Sequence, residues 1–171
     1  MDVAGAERVV QQLVASWEAR DLEGLVEWLS VDVEWYDPAM PDPPARGRAA
    51  VRAFAEAVMR AFPDFRYEIL PPICHAEDGS RCAVKWRITA SHVGSLDPPG
   101  YAPTGRRAEF EGVDLLEFEG DRVRRILTAF DPLPAAEQLL GMRLRPVPGT
   151  WPGLLAVRVQ RVLAWWARIK R

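Results

Sequence analysis

Arg106-Arg107-Ala108-Glu109-Phe110-Glu111-Gly112-Val113-Asp114-Leu115-Leu116-Glu117-Phe118-Glu119-Gly120-Asp121-Arg122-Val123-Arg124-Arg125-Ile126-Leu127-Thr128-Ala129-Phe130-Asp131 is the stretch on which the fold turns. Polar and apolar residues alternate on both sides of Gly120-Asp121, so it reads as two strands, 106–119 and 121–131, joined by a tight turn. In the first strand Ala108, Phe110, Gly112, Asp114, Leu116 and Phe118 share a face that is apolar except for Asp114. Glu109, Glu111, Glu117 and Glu119 lie on the other. The same period carried through the second strand places Val123, Arg125, Leu127, Ala129 and Asp131 together.

Working outward, residues 81–93 alternate in the same way, with Cys82, Val84, Trp86, Ile88, Ala90 and His92 on one face. A turn at Asp78-Gly79 joins them to residues 65–76, a strand interrupted by Pro71-Pro72. Residues 94–105, with three Pro and three Gly, form a longer connection. Further toward the N-terminus the period changes to 3.6. Val3, Ala6, Val10, Leu13 and Trp17 form one helical face, and Asp21 is an N-cap for a short second helix. Residues 33–37 read as a strand that stops at Pro38, and Gly47 opens a third helix that Pro63 closes. Helices followed by a mainly antiparallel sheet make an α+β fold. Strands this long are expected to bend around something.

The chain has 171 residues, of which 49% are hydrophobic and 27% charged, which fits one globular domain and excludes wholesale disorder. No apolar run reaches the roughly 18 residues of a membrane span. The N-terminal residues are acidic and unlike a signal peptide, so a cytoplasmic protein is expected. Two Cys and two His offer no zinc-ligand spacing, and neither a metal nor a cofactor is expected. Cys74 and Cys82 flank the Asp78-Gly79 turn; in a reducing compartment two free thiols are expected in preference to a disulfide. Net charge is −2, but residues 142–171 hold seven basic residues and no acid, whereas residues 1–141 carry 15 basic against 24 acidic residues, or −9. An acidic body argues against a nucleic-acid partner.

Three residues stand out chemically. Asp114 is a carboxylate on an apolar face, which is costly unless it is paired, solvated in a cavity or protonated; a bulge or a pair with Arg125 are the bland alternatives. His92 ends the apolar row of its strand. Asp131 closes the last strand before Pro132, where the local alternatives are a helix N-cap and an acid/base group.

Several pieces together resemble the SnoaL-like polyketide cyclase and ester cyclase family, within the nuclear-transport-factor-two-like superfamily. They are Asp32-Val33-Glu34-Trp35-Tyr36-Asp37-Pro38, Gly47-Arg48, Ala61-Phe62-Pro63-Asp64, Ser91-His92-Val93-Gly94, Pro103-Thr104-Gly105-Arg106, and Phe130-Asp131 followed by Gln138-Leu139-Leu140-Gly141. The resemblance covers roughly residues 5–141 and implies a cone, in which a strongly curved sheet encloses three N-terminal helices and a deep apolar pocket. It further implies a cofactor-independent acid/base enzyme that cyclises or isomerises a polyketide-like or other apolar carbonyl compound. Asp131 is then the base, His92 a hydrogen-bonding partner of the developing oxyanion, and Asp114 a second polar anchor. Trp35, Trp86 and Phe110 would stack on a flat ligand, with Trp17, Tyr36 and Leu127 completing the lining. A limonene-type epoxide hydrolase would use Asp114 and Asp131 with Arg125, because Gly112 stands where arginine is wanted. A ketosteroid-type isomerase would need Tyr36, Tyr67 or Tyr101 beside a protonated carboxylic acid. A non-catalytic binding or interaction domain is the remaining reading.

The expected division is a domain over 1–141, a Pro-rich linker over 142–152 and a basic amphipathic helix over 153–171. In that helix Leu155, Val159, Val162, Trp166 and Ile169 step by four and three residues, with Arg158, Arg161 and Arg168 on another face. It could cover apolar surface of its own domain or of a homodimer mate, lie on a membrane surface, or dock to a partner.

Overall fold

The computed structural model describes residues 2–40, 42–97, 99–141 and 147–169. In chain order they form α1 (Val3–Ala19), α2 (Leu22–Glu27), β1 (Leu29–Tyr36), β2 (Ala45–Arg46), α3 (Gly47–Ala61), β3 (Arg66–His75), β4 (Arg81–Ser91), β5 (Arg107–Glu119), β6 (Arg122–Ala129), α4 (Pro132–Leu140) and α5 (Trp151–Ile169). Local chemistry sets the helix ends. The Asp2 carboxylate accepts a hydrogen bond from Gly5 N at 2.8 Å to open α1, and Arg20, at φ 56°, closes it in the left-handed region. Asp21 then caps α2 as expected, accepting from Gly24 N at 2.9 Å. One face of α1, with Ala6, Val9, Val10, Leu13 and Trp17, is buried, and α3 buries Val51 and Ala55.

The six strands form one open sheet in the order β2-β1-β6-β5-β4-β3. β1 runs parallel to β6, and the remaining neighbours are antiparallel. The sheet is therefore mainly antiparallel, curled but not closed, as the strand lengths led one to expect. Pro71-Pro72 falls on β3, at the sheet edge, where the register with β4 shifts between Leu70 and Cys74. An edge strand tolerates proline because one side has no ladder to lose. Cys74 is exposed and Cys82 buried, and the cross-strand partner of Cys82 is His75, so both thiols are free.

One irregularity changes the reading of the last strand. On β5 Glu117 pairs with Arg125, but the next residue, Phe118, pairs with Val123, leaving Arg124 as an extra residue on β6. That bulge inverts the alternation: Val123 is buried before it, and Ile126 and Thr128 are buried after it. The expected grouping of Val123 with Leu127, Ala129 and Asp131 is thus corrected. Leu127 is 40% exposed, and Ala129 and Asp131 also face solvent. A strict period of two cannot register a single inserted residue, and everything beyond it flips.

α1, α2 and α3 pack against the concave side of the sheet. Leu25, Leu29, Val33, Val84 and Val123 lie at the centre of one core cluster. A second cluster gathers Ala61, Phe62, Trp86, Ile88 and Ala90. Residues 142–146 of the expected linker lie outside the described residues. α5 starts at Trp151, two residues before the expected boundary, with Thr150 Oγ1 accepting from Gly153 N at 3.3 Å.

Candidate functional site

Between the helices and the concave sheet face lies a cavity of about 310 Å³ whose lining is overwhelmingly apolar. Trp17, Trp35, Trp86 and Phe110 line it, and so do Phe54, Phe62, Phe65 and Phe130. Trp86 is its largest fully buried wall. Its indole meets Phe110 edge-on at 5.9 Å, Phe130 at 5.8 Å and Tyr67 at 5.8 Å between ring centroids. Gly112, opposite Trp86 on β5, makes that placement possible: a Cβ there would lie 2.3 Å from the indole ring.

Polar groups in the cavity are few and convergent. Asp114 comes from β5, flanked by Val84 on β4 and Thr128 on β6. Tyr67 donates its hydroxyl to Asp114 Oδ2 at 2.8 Å, and Thr128 donates to Oδ1 at 2.7 Å. Trp35 Nε1 in turn donates to Thr128 Oγ1 at 2.9 Å. Burial among aromatic rings pushes the Asp114 pKa up, against the lowering effect of these donors. Trp86 Nε1, buried without a partner at hydrogen-bonding geometry, adds a weaker favourable interaction with the charge. The Tyr67 hydroxyl is pushed well above its ordinary value by burial and by the neighbouring Asp114 charge.

Asp37 is the second carboxylate of the cavity. It follows β1 directly, and its Oδ1 accepts from Ala39 N at 2.7 Å, which fixes the side chain in an Asx turn. Burial raises its pKa to about 6; the Ala39 N–H opposes the rise and the Asp114 charge adds to it. Asp37 therefore ionises chiefly against the apolar lining, with the Asp114 charge a smaller opposing influence. Sequence reasoning passed over Asp37. The signal was present, since Val33, Trp35 and Asp37 alternate onto one face just as Ala108 to Phe118 do.

His92 also lines the cavity, but elsewhere. Asp114 pairs with Val84, eight residues before His92, roughly 25 Å measured along the strand at ~3.3 Å per residue. His92 is almost fully buried and rests on Phe62 at 5.5 Å between ring centroids. Burial holds its pKa down, so its imidazole is neutral at pH 7. Nδ1 lies 3.5 Å from Thr104 Oγ1, and Nε2 has no protein partner.

The other expected site residues are outside. Asp131 caps α4, its Oδ1 accepting from Leu133 N at 3.0 Å, and its side chain faces solvent. The base role expected of it therefore has no cavity to act in, and the N-cap alternative describes its position. Asp131→Ala is expected to cost about 1 kcal/mol of stability through the lost cap, read by thermal or denaturant unfolding, with ligand binding and turnover unchanged. Tyr36 points away from the chamber and carries the Arg125 guanidinium over its ring at 5.6 Å. Leu127 is outside for the same bulge-related reason as Asp131. Among the described residues no group of three or more His, Cys, Asp or Glu is arranged to hold a metal.

The SnoaL-like domain family matches residues 10–126, more than half of the chain. The chain belongs to that family. Solved structures share its architecture at low identity. AclR, a proposed hydroxylase from Streptomyces galilaeus, superposes with a TM-score of 0.68 at 24% identity, over 99% of each chain. A proposed polyketide cyclase from Pseudomonas putida has a TM-score of 0.68 at 19% identity, covering 81% of this chain and 98% of its own. TerC, co-crystallised with polyporic acid, has a TM-score of 0.63 at 20% identity, covering 78% of this chain and 97% of its own. No curated protein matches the sequence significantly. At these identities the structural likeness speaks for the fold alone. Among the described residues, no helix of this SnoaL-like chain is long and apolar enough to cross a membrane.

Proposed function

We propose that this SnoaL-like protein is a cofactor-independent acid/base enzyme that isomerises or cyclises a flat, apolar carbonyl compound, with Asp37 as the base. The observation that carries this reading is that Asp37, whose pKa burial raises to about 6, lines the same apolar chamber as the hydrogen-bonded Tyr67–Asp114–Thr128 cluster. A general base works best with a pKa near the operating pH. In this reading Asp114, which lies deeper among the aromatic rings and whose pKa burial raises, is the carboxyl that stays protonated while Asp37 ionises.

Protonated Asp114 donates to the Tyr67 oxygen, which releases the Tyr67 O–H to point at a ligand. A carboxylic acid kept neutral beside a tyrosine is a known way to stabilise an oxyanion. Asp37 removes a proton from the carbon next to the substrate carbonyl, and the electron pair moves onto the carbonyl oxygen. That oxyanion accepts the hydrogen bond from Tyr67. In an isomerisation, protonated Asp37 returns its proton to another carbon of the enolate. In a cyclisation, the enolate carbon attacks a second carbonyl, and the resulting alkoxide takes up the proton. Trp86, Phe110 and Trp35 supply flat faces for the ligand, a reading in keeping with the co-crystallisation of the similarly folded TerC with polyporic acid.

The ketosteroid-type arrangement is thus favoured, with Tyr67 as its tyrosine. The limonene-type epoxide hydrolase loses its arginine, since Arg125 is exposed against Tyr36 and the close approach of Trp86 leaves no room for a side chain at residue 112. The test is α-proton exchange of 2-tetralone in D2O, followed by NMR, beside binding of 2-naphthol as an enolate mimic. Exchange that rises with pH through about 6 supports the enzyme reading. Tight naphthol binding without exchange replaces it with the non-catalytic binding domain.

A further inference from the structure

α5 lies outside the chemistry above, and its composition calls for a separate explanation. Among the described residues it makes no extensive contact with any other element. Trp165 and Trp166 are 59% and 54% exposed and touch each other edge-on at 5.7 Å between ring centroids. Leu154, Leu155, Val162 and Leu163 are at least half or nearly half exposed as well. Arg158, Arg161 and Arg168 are interleaved with them, and residues 142–171 contain no acid.

We infer that α5 seats in the surface of an anionic lipid bilayer, lying in the interface plane with its arginines at the phosphate level. Three observations separate this occupant from a protein one. First, at about 100° per residue the exposed apolar side chains spread over roughly two thirds of the helix circumference. A facing protein surface covers a stripe, whereas a helix lying in a bilayer interface can sink a wide apolar arc into the acyl boundary while the arginines beside it snorkel to the headgroups. Second, the adjacent tryptophans have the amphipathic character that settles at headgroup depth. Third, the acidic outer sheet face of a second copy offers little free negative charge. Its Glu68, Glu109 and Glu111 are already engaged by Arg87, Glu111 also by Lys85, and Glu117 by Arg81. The body, at −9 against the basic tail, would be held off the same membrane, leaving the chamber in solution beside the apolar phase that carries such ligands.

The test is co-sedimentation of the full-length protein with vesicles of phosphatidylcholine, alone or mixed with phosphatidylglycerol, and light scattering after size exclusion. Binding to the phosphatidylglycerol vesicles only, weakened by salt, is expected. Joint replacement of Arg158, Arg161 and Arg168 by glutamine should lower partitioning on the order of 100-fold, at about 1 kcal/mol per basic residue. Replacing Trp165 and Trp166 by alanine should lower it about tenfold or more per residue. All five side chains are exposed, so an unchanged melting temperature and circular dichroism spectrum are expected alongside. Absence from both vesicle types overturns the inference, as does partitioning indifferent to these substitutions. A tryptophan-dependent dimer that ignores vesicles also overturns it and makes a second copy the occupant.

Discussion

Asp37→Asn is expected to lower turnover by about 10²–10⁴-fold, the usual worth of a positioned base, while making the folded protein more stable at pH 8. The amide keeps the Oδ1 acceptor for Ala39 N, so the Asx turn survives and only the ionisable group is lost. The stability sign follows from linkage. The Asp37 pKa is about 6 in the fold against an ordinary 3.8, so the native state holds the extra proton between those values. Its stability therefore falls as pH rises from about 4 to about 6, and above that window the ionised carboxylate costs on the order of 2–3 kcal/mol. Asparagine removes that cost at pH 8 and changes nothing below pH 4. Chemical denaturation of both proteins at the two pH values checks the claim. Equal stability at pH 8 would mean that Asp37 is solvated rather than desolvated, and the base assignment would go with it.

Trp86→Ala is expected to destabilise the protein by about 3–5 kcal/mol, against a typical total of about 5–15 kcal/mol. For a chain of this size that corresponds to a fall of about 6–20 °C in melting temperature. The reason is geometric. Trp86 is 1% exposed, joins the rings of Tyr67, Phe110 and Phe130, and fills the space that Gly112 leaves. Gly112→Ala alone should cost about 1–3 kcal/mol by pressing a Cβ into the indole. Combined with Trp86→Ala, the part of that penalty due to the indole should vanish, while the 2.9 Å approach to the Ala129 carbonyl oxygen stays. Additive penalties in this double-mutant cycle would refute the paired fit of glycine and indole.

Much of the architecture was readable because it rests on local signals. The cap at Asp21, the 3.6-residue period of α1 and α3, and the period of two in β4 and β5 all act within a few residues of chain. Those signals suffice for an α+β order and for the inward placement of Trp35, Trp86, Phe110 and Asp114. Asp37 was within reach of the same alternation but resembled a strand terminator before proline. Tyr67 belonged to a strand broken by Pro71-Pro72, where a face assignment had little support.

The amino-acid order by itself determined which residues are apolar on which short segment, because side-chain direction follows backbone period wherever that period is unbroken. The tertiary structure alone decided where the period breaks. An extra residue at Arg124 is accommodated only when β5 and β6 pair, and it turns Asp131 and Leu127 to solvent while bringing Ile126, Thr128 and Phe130 inward. It also decided that carboxyl groups 77 positions apart in the chain, Asp37 and Asp114, share one dry chamber. The parallel insertion of β1 beside β6 is a long-range pairing, and no local pattern encodes the field that the Asp114 charge then exerts on Asp37.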